Sequence, residues 1–218
     1  MHIGGFVRAT KLEFVEKKQE AGDIFTFYFS TKKPIKHIAG QHALFILPKL
    51  RGLHIFSLSS APEESYVTFS THVRKESTYK QHLDNLKAGN HVTMVGPVLD
   101  FIFQKDTDEY VFLAQGIGIT PFRSLLVYAH HEKLPVNTTL VHVDSYAHVF
   151  KEETSRYATI ALYPENPEAF TQAVTQTLNK DALYYLSGSP KFVGATKQTL
   201  IGLGVDTSHM KTDSFLGY

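Results

Sequence analysis

Two short stretches of this 218-residue chain carry residue types suited to holding a phosphorylated ligand: GIGITP, from Gly116 to Pro121, and SGSP, from Ser187 to Pro190. Gly116 and Gly118 have no β-carbon, so backbone N–H groups there can come close to a diphosphate. Thr120 is placed to cap a following helix and Pro121 suits that helix's first turn. The helix start then offers unpaired N–H donors and partial positive charge to an anion. The spacing is not the dinucleotide fingerprint G-x-G-x-x-G, because Pro121 stands where the third glycine belongs. Taken alone, GIGITP reads equally well as a tight, capped turn. Gly188 and Ser189 repeat the arrangement, and two such turns on one sheet edge favour a nucleotide between them.

The elements that must position these turns differ between the two halves of the chain. From Val7 to about Phe103 the sequence runs in short β-rich segments, among them IFTFYFS, HALFILP, IFSLSS, YVTFSTHVR and HVTMVGP. Each is bounded by Gly, Pro, Asn or charged residues, which predicts an antiparallel barrel or sandwich. One helix interrupts it, since STYKQHLDNLKAG spaces Tyr79, Leu83 and Leu86 at helical intervals and stops at Gly89. After QKDTDE the rhythm becomes strand, helix, strand, helix, which predicts a parallel sheet with helices on both faces. The expected domains are 1–105 and 109–218, the glycine turns both lying at carboxyl ends of strands in the second. Open α/β sheets bind ligands at that edge.

Composition narrows the chemistry. With 43% hydrophobic and 20% charged residues the chain has the make-up of a globular protein. Its formal net charge of +1 gives no reason to expect nucleic acid as a partner. The absence of cysteine removes disulfides, thiolate metal sites, cysteine-ligated iron–sulfur clusters and cysteine nucleophiles together. Redox chemistry would therefore need an organic cofactor or a metal held by His, Asp or Glu. The segment MHIGGFVRATKLEF lacks a hydrophobic signal core, and no apolar run approaches the ~18 residues of a membrane span, so the expected setting is the cytoplasm with no membrane span.

In this order and spacing, HIFSLSSAP, HVRKEST, LKAGNHVTMVGP, GIGITPF, LSGSP and the terminal KTDSFLGY resemble the ferredoxin–NADP reductase superfamily over nearly the whole chain. The resemblance implies a flavin-binding barrel followed by a nucleotide-binding α/β domain. It implies hydride transfer from NADH or NADPH to the N5 atom of FAD, with FMN as the alternative flavin, and onward transfer to a small-molecule or protein acceptor. By position, Phe56 would pack on the flavin ring and the Ser57 hydroxyl would lie near N5. His72, Val73, Arg74, Ser77 and Thr78 would form the flavin-phosphate segment. Gly116, Gly118, Thr120, Pro121, Gly188 and Ser189 would hold the pyridine nucleotide, with Ser187 beside the nicotinamide in place of a cysteine. Tyr218 would cover the flavin face and swing aside before transfer.

Two positions depart from the family pattern. His54 replaces the arginine that holds the flavin phosphates, and neutral histidine offers one donor where arginine offers a permanent charged fork. Arg51, Arg74 or Lys75 would have to compensate. Leu99, in GPVLDF, replaces a glycine. Nucleotide choice is weakly encoded: Asp144, after the second strand of the α/β half, favours a 2′-hydroxyl and so NADH, whereas His142, His148 and Lys151 keep NADPH open. The 12 histidines, including His42, His72, His82 and His91, show no metal-ligand spacing, so no metal site is expected. Two rival readings stay open: a flavin-binding electron-transfer subunit that works only with a partner protein, and a nucleotide-binding regulator without flavin.

Overall fold

The computed structural model describes residues 8–32, 35–48, 50, 54–99, 101–104 and 106–215. The chain divides into two compact units, Met1–Ile102 and Phe103–Tyr218. The division falls slightly ahead of the sequence-based boundary for a local reason. Phe103 packs edge-on against Tyr110, with ring centroids 4.7 Å apart, and the Gln104 carbonyl accepts from the Tyr110 hydroxyl at 2.7 Å. These residues thereby belong to the second unit.

The first unit is an antiparallel sheet of six strands: β1 (Arg8–Ala21), β2 (Ile24–Ser30), β3 (His42–Ile46), β4 (His54–Ser57), β5 (Val67–His72) and β6 (His91–Val98). Their spatial order is β4-β3-β6-β1-β2-β5, and an antiparallel bridge from Leu58 to Phe69 joins the two ends, curling the sheet into a barrel. β1 is the strand the sequence conceals. Its run KLEFVEKKQEA is largely charged and sends only Leu12 and Phe14 fully inward, and its pairing with β2 shifts register twice, which breaks strict alternation. The interior is aromatic: Phe27, Phe29, Phe45, Phe56 and Phe69 are all buried there. One short helix, α1 (Thr78–Asp84), plugs the barrel with Tyr79 and Leu83. The Tyr79 hydroxyl donates to the Phe45 carbonyl at 2.9 Å, so its polar end is satisfied while burial pushes its pKa up.

The second unit has five parallel strands: β7 (Glu109–Gln115), β8 (Asn137–Val143), β9 (Ile160–Leu162), β10 (Leu183–Gly188) and β11 (Met210–Ser214). Their order is β11-β10-β7-β8-β9. Four helices connect them: α2 (Thr120–His131), α3 (Lys151–Tyr157), α4 (Pro167–Gln176) and α5 (Pro190–Gly202). Side-chain alternation along β7 sorts the helices between faces. Val111 and Leu113 join Phe170 of α4 and Val193 and Leu200 of α5 in one core. Phe112 points the other way and stacks on Phe122 of α2, centroids 4.8 Å apart. α3 is tied to α2 by a two-pronged ion pair from Arg123 to Glu153, 2.7 and 2.9 Å. Among the described residues no helix is long and apolar enough to cross a membrane.

Candidate functional site

In the first unit, the sequence-selected residues gather around β4 and the segment leading into α1. His54 and Phe56, two apart on one strand, face the same way. The His54 ring lies flat on Tyr79 with centroids 3.7 Å apart, and Phe56 stacks on Phe69 at 4.2 Å. Phe56 is therefore a core residue, 8% exposed. Its other neighbour is a residue that the sequence reading passed over: the Lys80 ammonium sits 4.4 Å from the Phe56 ring centroid and hydrogen-bonds Thr71 Oγ1. Burial, and secondarily Lys80, depress the His54 pKa, so its ring is neutral at pH 7. Ser57 points to the opposite side of β4, where its hydroxyl meets His42 Nε2 at 3.0 Å. The two residues are direct partners in the β3–β4 register.

The segment from His72 to Thr78 is organised by Asp23, at the turn between β1 and β2. Asp23 Oδ1 pairs with His72 Nδ1 at 2.7 Å, its Oδ2 lies 3.8 Å from Arg74 Nε, and its carbonyl accepts from the Val73 N–H at 2.7 Å. Ser77 caps α1, accepting from the Lys80 N–H at 3.3 Å, and Thr78 is the first helical residue. Thus His72, Val73 and Ser77 have internal partners. Lys80 has no carboxylate partner among the described residues, and the charge that acts on it, Arg74, has the same sign. Lys80 is left without an anionic partner, so the residues here fit a phosphorylated cofactor.

In the second unit both glycine turns leave adjacent strand ends, since Ala114 of β7 lies opposite Ser187 of β10. Gly116–Ile119 form one 3-10 turn that runs straight into α2. This corrects the role expected of Thr120. It is a buried residue already in the helix, its hydroxyl donates back to the Ile117 carbonyl at 2.5 Å, and Ile119 at the cap position supplies no side-chain bond. Pro121 does occupy the first turn. Gly118 serves packing: a β-carbon there would lie 2.6 Å from the Ser187 carbonyl carbon and 2.9 Å from the Gly188 nitrogen. Gly188, at φ +157°, is equally confined, between the Gln115 β-carbon and the Phe192 ring.

The second turn is held by two further bonds. Ser189 caps α5 by accepting from the Phe192 N–H at 3.2 Å, and its hydroxyl donates to Gln115 Oε1 at 2.6 Å, linking the end of β7 to the start of α5. Ser187 is wholly buried with an unpartnered hydroxyl. Beyond β8, Asp144 Oδ1 accepts from the N–H groups of Tyr146 and Ala147, at 2.7 and 3.2 Å, while Oδ2 faces Gly116. His142 is buried, donates Nε2–H to the Gly116 carbonyl at 2.9 Å, and has its pKa lowered to about 4 by burial and by neighbouring His148. It braces the glycine turn from beneath. Tyr218 lies outside the described residues. Among those described, no group of three or more His, Asp or Glu side chains is placed to hold a metal ion.

No protein-family model matches the chain. Over 232 residues it is 26% identical to a flavohemoprotein of Bacillus subtilis, covering 92% of this chain and 58% of that protein. Over 235 residues it is 26% identical to the stachydrine N-demethylase reductase subunit of Rhizobium meliloti, covering 95% and 67%. It thus spans roughly three fifths to two thirds of the length of these relatives. The FAD/NAD-binding domain of nitric oxide dioxygenase from Vibrio cholerae superposes with a TM-score of 0.77 at 21% identity, covering 94% of this chain and 98% of that one. Ferredoxin–NADP+ reductase from Plasmodium falciparum superposes with a TM-score of 0.77 at 15% identity, covering 95% and 96%. The chain has the ferredoxin–NADP reductase fold.

Within this fold, the two positions that depart from the resemblance, Leu99 and His54, take on physical meaning. Leu99 has a left-handed backbone of the kind glycine favours, at φ +61°, and its side chain is 59% exposed. A leucine in that region carries a steric cost. At His54 the ring is neutral, and the positive charge near it is Lys80 of α1. Lys80, His42, Asp23 and Gln115 are the site residues that sequence reading missed. Each owes its place to a contact between strands or between strand and helix, and no local motif signals it.

Proposed function

We propose that the chain is an NAD(P)H-dependent flavin oxidoreductase. A nicotinamide nucleotide bound by the second unit delivers hydride to a flavin bound by the first, and electrons pass onward to an acceptor. The observation that carries this reading is the switch point of the second sheet. The turns at Gly116–Thr120 and Gly188–Pro190 leave neighbouring strands whose connections run to opposite sides, the position at which open α/β sheets take nucleotides. A bound flavin, FAD or the smaller FMN, supplies an N5 that accepts hydride and releases electrons afterwards.

The chain's own residues bind and orient. His54, Arg74 and Lys80 border the phosphates, Phe56 the ring and Ser57 the reacting edge, with His42 fixing the Ser57 hydroxyl. Gly118 and Gly188 bring the two strand ends close enough to form one floor for the dinucleotide, and buried Ser187 shapes that floor beneath the nicotinamide. Asp144 keeps its Oδ2 for a ribose hydroxyl and repels a 2′-phosphate, which favours NADH. No side chain needs to act as a strong acid or base. Work in the cytoplasm, where reduced nicotinamide nucleotides are available, accords with this assignment.

The test is the visible spectrum of the flavin-reconstituted protein, followed anaerobically during separate NADH and NADPH titrations. Bleaching of the flavin bands is expected with both, at lower concentration with NADH. Absence of flavin absorbance after reconstitution, or no bleaching by either nucleotide, would overturn the proposal. A second reading is favoured by the likeness to a reductase subunit: a protein that is reduced in this way but turns over only with its partner. Bleaching by NADH with negligible steady-state oxidation against an artificial acceptor would select it.

A further inference from the structure

Lys80 is an unbalanced charge in an apolar setting. Its ammonium lies over Phe56, 4.4 Å from the ring centroid, while the Phe69 ring stacks on Phe56 at 4.2 Å and an interplanar angle of 14°. The flat face of Phe56 that Phe69 leaves uncovered is therefore the one that Lys80 occupies. Apart from the ring, Lys80 has a single polar partner, the Thr71 hydroxyl, and no carboxylate among the described residues pairs with it. Burial first, and Arg74 second, lower its pKa to about 8, which leaves most of it protonated at neutral pH.

A hydroxyl and an aromatic face compensate a desolvated ammonium only in part. His54, one ring away on Tyr79, adds a neutral group and no charge. The missing partner is thus an anion, and the aromatic faces around it suit a ligand that carries both a phosphate and a flat ring.

Resting on the flavin assignment above, we propose that Lys80 is the cation that holds the flavin phosphate in this chain, and that its ammonium leaves the face of Phe56 to the flavin ring when it does so. The role that the resemblance gives to an arginine on β4 is split here between His54, which stays neutral, and a lysine on α1. Lysine brings a point charge on a flexible stem, which can turn from ring to phosphate; a guanidinium is a wider planar fork.

The experiment measures binding of FAD, FMN and riboflavin to the flavin-free chain by fluorescence, for wild type, Lys80→Met and Lys80→Arg, with thermal melts of each. Lys80→Met is expected to weaken FAD and FMN at least roughly tenfold, the effect of removing a charge-assisted hydrogen bond. It should leave riboflavin, which has no phosphate, unchanged or tighter. Lys80→Arg should restore most of the FAD affinity, and the Tm of Lys80→Met should not fall, because a partly buried charge without a counter-ion is removed. Equal weakening of riboflavin and FAD, or undiminished FAD affinity in Lys80→Met, would overturn the role of Lys80 while leaving the flavin assignment intact. Wild-type protein that binds none of the three flavins would overturn both.

Discussion

Replacing Gly118 by alanine should destabilise the second unit severely. The backbone of Gly118 is outside the left-handed region, so the requirement there is space alone. A new β-carbon would stand 2.6 Å from the Ser187 carbonyl carbon and 2.9 Å from the Gly188 nitrogen, against an ordinary carbon contact of ~3.5–4.0 Å. Relief needs a movement of about 1 Å, and neither wall is a side chain that can rotate away. β10 is pinned on both flanks, with Ser187 opposite Ala114 of β7 and Asp213 of β11. The 3-10 turn is itself buried through Ile117 and Ile119. Overpacking of well-packed interiors costs ~1–3 kcal/mol, and a clash with backbone on both sides belongs at the upper end, about 3 kcal/mol. For a domain near 100 residues that corresponds to a Tm roughly 14 °C lower. Differential scanning calorimetry reads it directly, with Gly194→Ala as the paired control. Gly194 lies inside α5 with nothing within 4 Å of its would-be β-carbon, so alanine there should stabilise by about 0.5–1 kcal/mol. If Gly118→Ala melts within about 0.5 kcal/mol of wild type, or both alanines act alike, the close approach of turn and strand is wrong.

Three further outcomes are expected. Asp144→Asn keeps the oxygen that accepts from Tyr146 and Ala147 but removes the charge. The ratio of kcat/KM for NADH over NADPH should fall roughly tenfold, about 1.4 kcal/mol, whereas an unchanged ratio would take Asp144 out of nucleotide choice. Leu99→Gly should raise stability by ~0.5–1 kcal/mol, because leucine at φ +61° carries a left-handed penalty larger than glycine's extra unfolded-state entropy; a lower Tm would contradict that strain. His142 supplies a pH signature. Its folded pKa is depressed to about 4 from the ordinary 6.5, so as pH falls below 6.5 the unfolded chain takes up the proton first. Stability should therefore decline between pH 6.5 and about 4, this group contributing about 3 kcal/mol of the loss. Denaturation of His142→Gln across that window should be correspondingly flatter, and an unaltered profile would show that the ring is not held neutral.

What could be read from the sequence and what could not divide along a physical line. Period and punctuation are local properties, so IFTFYFS, HALFILP and YYLSG announced their strands and TPFRSLLVYAHH its helix. β1 escaped because a largely charged run with two register shifts carries no clean alternation. The glycine turns were legible as turns, but the purpose of each residue was not. Gly118 reads as room for a diphosphate, and the need for room beside the Ser187 backbone is invisible in the sequence; Thr120 reads as a cap and proves to sit inside the helix, because the chain spends Gly116–Ile119 on a 3-10 turn before α2 begins. Those outcomes depend on where β10 lies beside β7, which no spacing within GIGITP encodes.

The same reasoning explains why the substitution at His54 misleads when read alone. Along the sequence, loss of an arginine from the β4 motif subtracts a charge from the flavin site, and the basic residues nearest in sequence, Arg51, Arg74 and Lys75, are the natural substitutes. In the barrel the relevant neighbourhood is set by α1, which lays Tyr79 against His54 and Lys80 against Phe56. Arg74 is shared with Asp23 and largely outside. On the proposal above, the cation near β4 sits on α1 rather than on the strand, and the mobility of the charge changes with its address. An arginine on a barrel strand is fixed toward its phosphate; a lysine on a helix is free to rest on an aromatic ring until a phosphate draws it away. A chain built this way should hold its flavin through a group that must move first, so flavin association, more than dissociation, is the rate on which the His54 and Lys80 exchange leaves its mark.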